Sequence, residues 1–213
     1  MSLTVKLQAK KNTGPAIEKN AWAAAPAKRA SDGDRAAFDR LVDLFWEDIF
    51  RMVYYRTFSR LDAEDLTQDI FMRAYSNMGR LRKFDRFRPW LFRIAVNMVR
   101  DFQRKNRLLS IFRVSDRLEE PDLPQTQDRL SPLNLVLKQE FWERVREFSD
   151  GLPRLEREVF LLRFMDHLTI SEIAASLKKN ENTVKTHLYR AVNKFRKNRG
   201  LAGLLREGPH ERK

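Results

Sequence analysis

The sequence predicts an all-α protein: two small helical domains joined by an acidic flexible linker. Apolar residues recur at spacings of three and four through two long stretches, with no strand-length alternation and no internal repeat. Basic residues gather in two segments about ninety positions apart, with an acidic stretch between them. The chain has 213 residues, which allows one or two domains, and 42% of them are hydrophobic, enough for small cores.

Residues 1–33 are rich in Ala, Lys, Asn and Pro without a sustained period, and read as a flexible arm with at most a short helix near Trp22. A first domain is expected over 34–107. Phe38, Leu41, Val42, Phe45, Ile49, Met52 and Val53 give its opening helix one apolar face. Ser59 to Asp62 interrupts that helix, and Asp62 is a candidate cap for the next, with Asp65 in the first turn where the helix dipole favours a carboxylate. Leu66, Ile70, Phe71, Ala74 and Met78 form the second apolar stripe, and Gly79 is the expected stop. A basic loop, Arg80 to Arg88, leads to Pro89 in the first turn of a third helix expected to run to about Asn106. Residues 108–131 hold Pro121, Pro124 and little periodicity, and read as the linker. A second domain is expected over 132–200, its first helix starting near Ser131 and broken at Gly151 and Pro153, followed by a C-terminal tail over 201–213.

The formal net charge of +13 points to a polyanionic partner. Arg80 to Arg107 carries a net charge of +8 and Lys178 to Arg199 one of +7, whereas Ser115 to Leu130 carries −3. Charge localised in this way favours two phosphate-binding surfaces over a uniformly solvated exterior. The absence of cysteine excludes disulfides and thiolate metal sites, and no apolar run approaches the ~18–20 residues of a membrane span. No cofactor or metal is expected. Three histidines, no paired catalytic carboxylates and no Gly-rich phosphate loop argue against an enzyme.

The C-terminal basic segment has the pattern of a helix-turn-helix. Thr169 and Glu172 form a T-x-x-E capping box, Ile170, Ile173, Ala174 and Leu177 face inward, Lys178 to Glu181 is the turn, and Asn182 is the candidate cap of the second helix. Val184, Leu188, Ala191, Val192 and Phe195 form the buried side of that helix. Thr183, Lys185, Thr186, His187 and Arg190 are left on its outer N-terminal part, the part that reaches base edges in such motifs. Lys185 and Arg190 suit guanine edges or phosphates. The other basic segment interleaves Phe84, Phe87, Trp90 and Phe92 with Arg82, Lys83, Arg86, Arg88 and Arg93. Aromatic faces accept unstacked bases at roughly 1–3 kcal/mol each, although any one of these rings also fits a small bundle core. Asn97, Arg100 and Arg104 lie toward the exposed side of the same helix.

In order and spacing, DAEDLTQDIFMRAY (Asp62 to Tyr75), FRPWLFRIAVN (Phe87 to Asn97) and LTISEIAASL…NTVKTHLYRA (Leu168 to Ala191) resemble the bacterial extracytoplasmic-function (group 4) sigma factors over about residues 34 to 199. The resemblance implies a sigma region 2 bundle and a sigma region 4 helix-turn-helix, an alternative sigma factor of the cytoplasm that binds core RNA polymerase through the β′ clamp helices and β flap. It implies recognition of promoter −35 and −10 elements, melting of the latter, and control by an anti-sigma factor that would hold the protein at the inner membrane. Asp65, Leu66, Gln68, Asp69 and Phe71 would contact core polymerase. Arg80, Leu81, Phe84, Phe87, Trp90, Arg93, Asn97, Arg100 and Arg104 would contact the −10 element, and Thr183, Lys185, Thr186, His187 and Arg190 the −35 element. Leu81 and Phe84 both stand where the pocket for a flipped base falls, and Asn182 stands where the family often has Gly.

A two-domain regulator with a LuxR-type helix-turn-helix is the alternative, since NTVKTHL also fits that group. Its usual receiver domain needs alternating strands and helices, and the sequence shows no strand pattern.

Overall fold

The computed structural model describes residues 15–112 and 143–198, and all regular structure within them is helical. The first helix, α1 (Pro15–Ser31), corrects the expectation of a flexible arm. Ala23, Ala27 and Ala30 recur at spacings of four and three and are buried, so small side chains let α1 lie close on the following elements. An alanine face carries little hydrophobic signal, and Pro26 inside the helix reads as a breaker.

Gly33, at φ 96°, reverses the chain into α2 (Arg35–Thr57). Asp34 caps α2 by accepting from the Ala37 amide, and that bond, with the guanidinium of Arg29, holds the Asp34 carboxyl below its ordinary range. Phe58 takes a left-handed conformation and ends α2. The cap of α3 (Arg60–Ser76) is Ser59, which accepts from the Asp62 amide at 3.2 Å, so Asp62 sits in the first turn instead of capping it. The helix stops at Asn77, and Gly79 lies in a short 3-10 turn (Met78–Arg80) without a positive φ. A second 3-10 turn (Phe84–Arg86) delivers the chain to α4 (Phe87–Phe112), which outruns its expected end at Asn106 and takes residues 108–112 from the expected linker.

Residues 143–150 are helical (α5), and Gly151 and Pro153 separate them from α6 (Arg154–Phe164). The start expected near Ser131 and the acidic stretch lie outside the described residues. Both bonds of the predicted capping box are present at α7 (Ile170–Leu177). Lys178, in the left-handed region, turns the chain toward α8 (Glu181–Lys197). The α8 cap is Asn180, accepting from the Thr183 amide at 2.7 Å, and Asn182 is already helical.

The two halves pack against each other. Val159, Leu162, Leu168, Ile173, Ala174 and Val184 from the C-terminal half join one continuous apolar core with α1 to α4. A smaller cluster, Val145, Phe148, Leu152, Phe160, Leu161 and Ala191, holds α5, α6 and α8 together.

Candidate nucleic-acid and polymerase interfaces

On α8 one side is fixed by Val184 and Ala191, both buried. The opposite side presents Lys185, Thr186 and Arg190 to solvent, as the helical period requires. Thr183 and His187 are only half-exposed, so they flank the outward face instead of forming its centre. The Thr186 hydroxyl donates to the Asn182 carbonyl at 2.9 Å, and Lys185 lies 3.7 Å from Glu181 one turn back. Tyr189 adds a large exposed ring to this face, a position that the sequence argument passed over. Lys194, further along, donates to the buried Glu156 at 2.8 Å and so serves packing.

The aromatic-basic segment divides. Phe87 is fully buried, packed against Phe45 and Trp90 with ring centroids 5.4 and 5.7 Å apart. Phe92 is also fully buried, beneath the guanidinium of Arg88. Leu81 is core as well, whereas Phe84 and Trp90 are half-buried. Of the two residues competing for the pocket position, Phe84 is the one whose ring reaches the surface. Around it Arg80, Arg82, Lys83 and Arg86 are exposed. Along α4, Asn97 and Arg104 are exposed, and Arg93 and Arg100 are half-buried. Arg100 and Arg104 line a cleft of about 600 Å³ with Arg107, Arg154 and Arg157, at the seam between α4 and α6. Arginine concentrated in a cleft raises the local anion concentration more than the same charges would on a convex face.

The predicted polymerase-contacting set also splits. Asp65, Gln68 and Asp69 are exposed on α3, but Leu66 and Phe71 belong to the core. Phe71 stacks on Trp46 at 5.8 Å and forms only the floor of a shallow groove with Phe38, Gln68, Met72 and Tyr75. The apolar groups that project from this face are Leu61 and Met72, 70% and 67% exposed. Leu61, Asp65, Gln68, Asp69 and Met72 follow a spacing of four, three, one and three, which is one helix face. Two apolar residues recurring on the polar side of α3 were the available signal.

Where the halves meet, Arg56 is almost fully buried. It donates to Asp166 at 2.9 Å, to Glu158 at 3.0 and 3.2 Å, and to the Met52 carbonyl. Burial opposes its charge, but the two carboxylates hold the guanidinium above its ordinary value. Burial pushes the Asp166 carboxyl up, against the pull of Arg56. The neighbouring His167 is held below its ordinary value by burial and by the positive charge of Arg51.

Among the described residues no His, Cys, Asp or Glu cluster is suited to a metal, and no helix is long and apolar enough to cross a membrane. Family models described as "Sigma-70 region 2" and "Sigma-70, region 4" match residues 41–108 and 142–195. The chain is 32% identical over 179 residues to the ECF RNA polymerase sigma factor BldN of Streptomyces coelicolor, covering 84% of this chain and 64% of that protein. It is 28% identical to the ECF RNA polymerase sigma factor SigW of Bacillus subtilis, covering 80% of this chain and 92% of that one. The solved structure of CnrH in complex with the cytosolic domain of CnrY superposes with a TM-score of 0.61 at 25% identity, over 87% of this chain and 98% of that one. The sigma factor RpoE of Bartonella quintana, solved in complex with the anti-sigma factor NepR, shares the fold at a TM-score of 0.58 and 21% identity, over 79% and 96%.

Proposed function

Because the chain belongs to the sigma-70 family, among its extracytoplasmic-function members, we propose that it binds bacterial core RNA polymerase and directs it to promoters by reading a −35 and a −10 element. The observation that carries this reading is the order of the two family regions on one chain, each with an exposed basic surface: the Arg80–Arg86 loop in the first and the Lys185–Arg190 face of α8 in the second. The receiver-type alternative is set aside, since region 2 stands where a receiver domain would have to be. In this reading region 2 spans roughly 34–107 and region 4 roughly 132–200. Phosphoryl transfer remains the polymerase's chemistry, and the chain supplies positioning. Reconstitution with core polymerase and mapping of transcript 5′ ends on genomic DNA tests it. A shared pair of upstream elements is expected, and a chain that binds DNA but never core polymerase overturns the reading.

The −35 element is read by Lys185, Thr186 and Arg190, with Thr183 and His187 at the margin. Arg190→Ala is expected to relax sequence preference there by about 1–3 kcal/mol, the usual worth of a good guanine contact. Unaltered selectivity of the holoenzyme across base-substituted promoters rejects the assignment. The −10 element is taken by the Arg80–Arg86 surface, Phe84 and Trp90, with Arg93, Asn97, Arg100 and Arg104 along α4. Leu81 and Phe87 support this surface from within.

Core polymerase docks on the α3 face through Asp65, Gln68 and Asp69, with Leu61 and Met72 as the apolar contacts. Gln68→Ala combined with Met72→Ala is expected to weaken holoenzyme formation at least tenfold with an unchanged circular dichroism spectrum, since both side chains are exposed. Undiminished binding moves the docking site elsewhere. Because a relative's fold is solved with an anti-sigma factor, an anti-sigma factor is part of the proposal, as are a cytoplasmic location and tethering at the inner membrane through that partner.

A further inference from the structure

The arginine cleft between α4 and α6 holds more positive charge than its own acids balance. Five arginines line it against two acids, Asp101 and Glu158. Glu158 is already committed to the buried Arg56. Asp101 reaches only Arg104, at 3.4 Å and with both side chains largely exposed. An exposed pair of this kind is weak and leaves Arg104 available to a stronger anion. Buried arginines nearby are answered from within the protein: Arg56 donates to Asp166 at 2.9 Å, and Arg88 donates to both oxygens of Glu172 at 3.0 Å. Arg100, half-buried, and Arg154, exposed at the start of α6, have no acid partner among the described residues.

The cleft is a formed concavity. Arg157 is held as one wall, donating to the Ser149 carbonyl at 2.7 Å and pairing with Asp150 at 3.2 Å. On the other side Gln103 ties α4 to the Arg56 carbonyl at 2.9 Å. The volume of about 600 Å³ falls within the roughly 300–1,000 Å³ of small-molecule sites. Arg100, Arg104 and Arg107 stand at intervals of four and three on one face of α4, a row of about 10 Å at ~1.5 Å per residue. Arg154 and Arg157 stand three apart on α6 and line the same space.

We propose that this cleft binds a short linear polyphosphate, about three linked phosphates long, either free or carried by a nucleotide. A guanidinium engages a phosphate through two parallel N–H donors and stays charged at any physiological pH. A row of guanidinium groups along a helix meets successive phosphates of one chain, whereas a single orthophosphate reaches only part of the row. Like charges converging in a concavity repel one another, and a bound polyanion replaces that repulsion with attraction. Leu108, 55% exposed in the same lining, offers a nucleobase an apolar surface to cover. Arg100 and Arg104 also serve the −10 element in the reading above, so a bound polyphosphate competes there with promoter DNA. The site itself does not rest on that reading, and its test uses neither DNA nor polymerase.

Isothermal titration calorimetry of the full chain with sodium tripolyphosphate, in magnesium-free buffer of fixed ionic strength, measures the binding. One equivalent is expected to bind, at least tenfold more tightly than orthophosphate. Arg100→Gln with Arg154→Gln is expected to weaken tripolyphosphate at least tenfold. Arg40→Gln with Arg73→Gln, both exposed on α2 and α3 and outside the cleft, removes the same charge and is expected to leave the affinity within about twofold. Circular dichroism melts establish that each variant is folded. Should the double cleft variant melt early, the exposed Arg154→Gln alone carries the test, with a loss of about threefold expected. ATP distinguishes the two sources of the ligand. Affinity above that of tripolyphosphate, with the gain lost in Leu108→Ala, identifies a nucleotide, and equal or lower affinity identifies the free polyphosphate. Absence of binding, several equivalents of equal affinity, orthophosphate binding as tightly as tripolyphosphate, or equal losses in the cleft and control variants overturns the site and leaves only a general attraction of anions to a basic chain.

Discussion

Arg56→Ala is expected to destabilise the folded chain by about 3–5 kcal/mol, because it strands Asp166 and Glu158 in a site emptied of their counter-ion. The Asp166 side chain has no solvent exposure and that of Glu158 is 16% exposed, so neither carboxylate can recover full hydration while the halves stay together. Urea unfolding measured by circular dichroism reads the loss. Restoring neutrality is the control. Arg56→Met with Asp166→Leu and Glu158→Met replaces the cluster by apolar groups of similar size and is expected to recover most of the stability, since a buried ion cluster exchanged as a whole for apolar side chains often costs little. A single alanine variant as stable as the wild type would mean that the cluster is hydrated in solution and that the apolar seam alone joins the halves.

Phe71→Ala is expected to cost about 3–5 kcal/mol and to lose polymerase binding only through loss of the fold. The ring is 4% exposed and stacked on Trp46, so its removal opens a cavity between α2 and α3. This contrasts with Gln68 and Met72, whose truncation leaves the core intact. Thermal unfolding and pull-down of core polymerase, measured on the same protein, separate the two roles. A Phe71→Ala chain that melts like the wild type yet fails to bind polymerase would return this phenylalanine to the docking surface.

These expectations differ from what Phe71 suggests in sequence because a period of three and four identifies a face without saying what covers it. Along α3 the buried residues Ala63, Leu66, Ile70, Phe71 and Ala74 and the projecting residues Leu61 and Met72 are all apolar. Only the position of α2 separates core from surface. The aromatic-basic segment shows the same ambiguity. Composition brought Phe84, Phe87, Trp90 and Phe92 together as a base-gripping set, but two of the four rings fill the bundle. The caps shifted by two or three positions for a related reason. Ser59, Asp62, Asn180 and Asn182 all offer suitable oxygens, and the choice between neighbouring capping residues follows from where the preceding turn leaves the backbone.

By itself the sequence determined the helical class, the capping box at Thr169 and Glu172, the outward presentation of Lys185 and Arg190, and the division of positive charge into two surfaces. Each of these depends on interactions within a few residues or on helical spacing, which the order of side chains encodes directly. Tertiary structure alone decided that α1 is a packed helix, that Arg56 and Arg88 are buried counter-ions and not phosphate ligands, and that the two halves close on each other. The carboxylate partners of Arg56 and Arg88 lie between 84 and 110 positions away in sequence. An arginine read locally is a solvated cation, and whether it meets DNA or a carboxylate depends on which surface the fold brings against it.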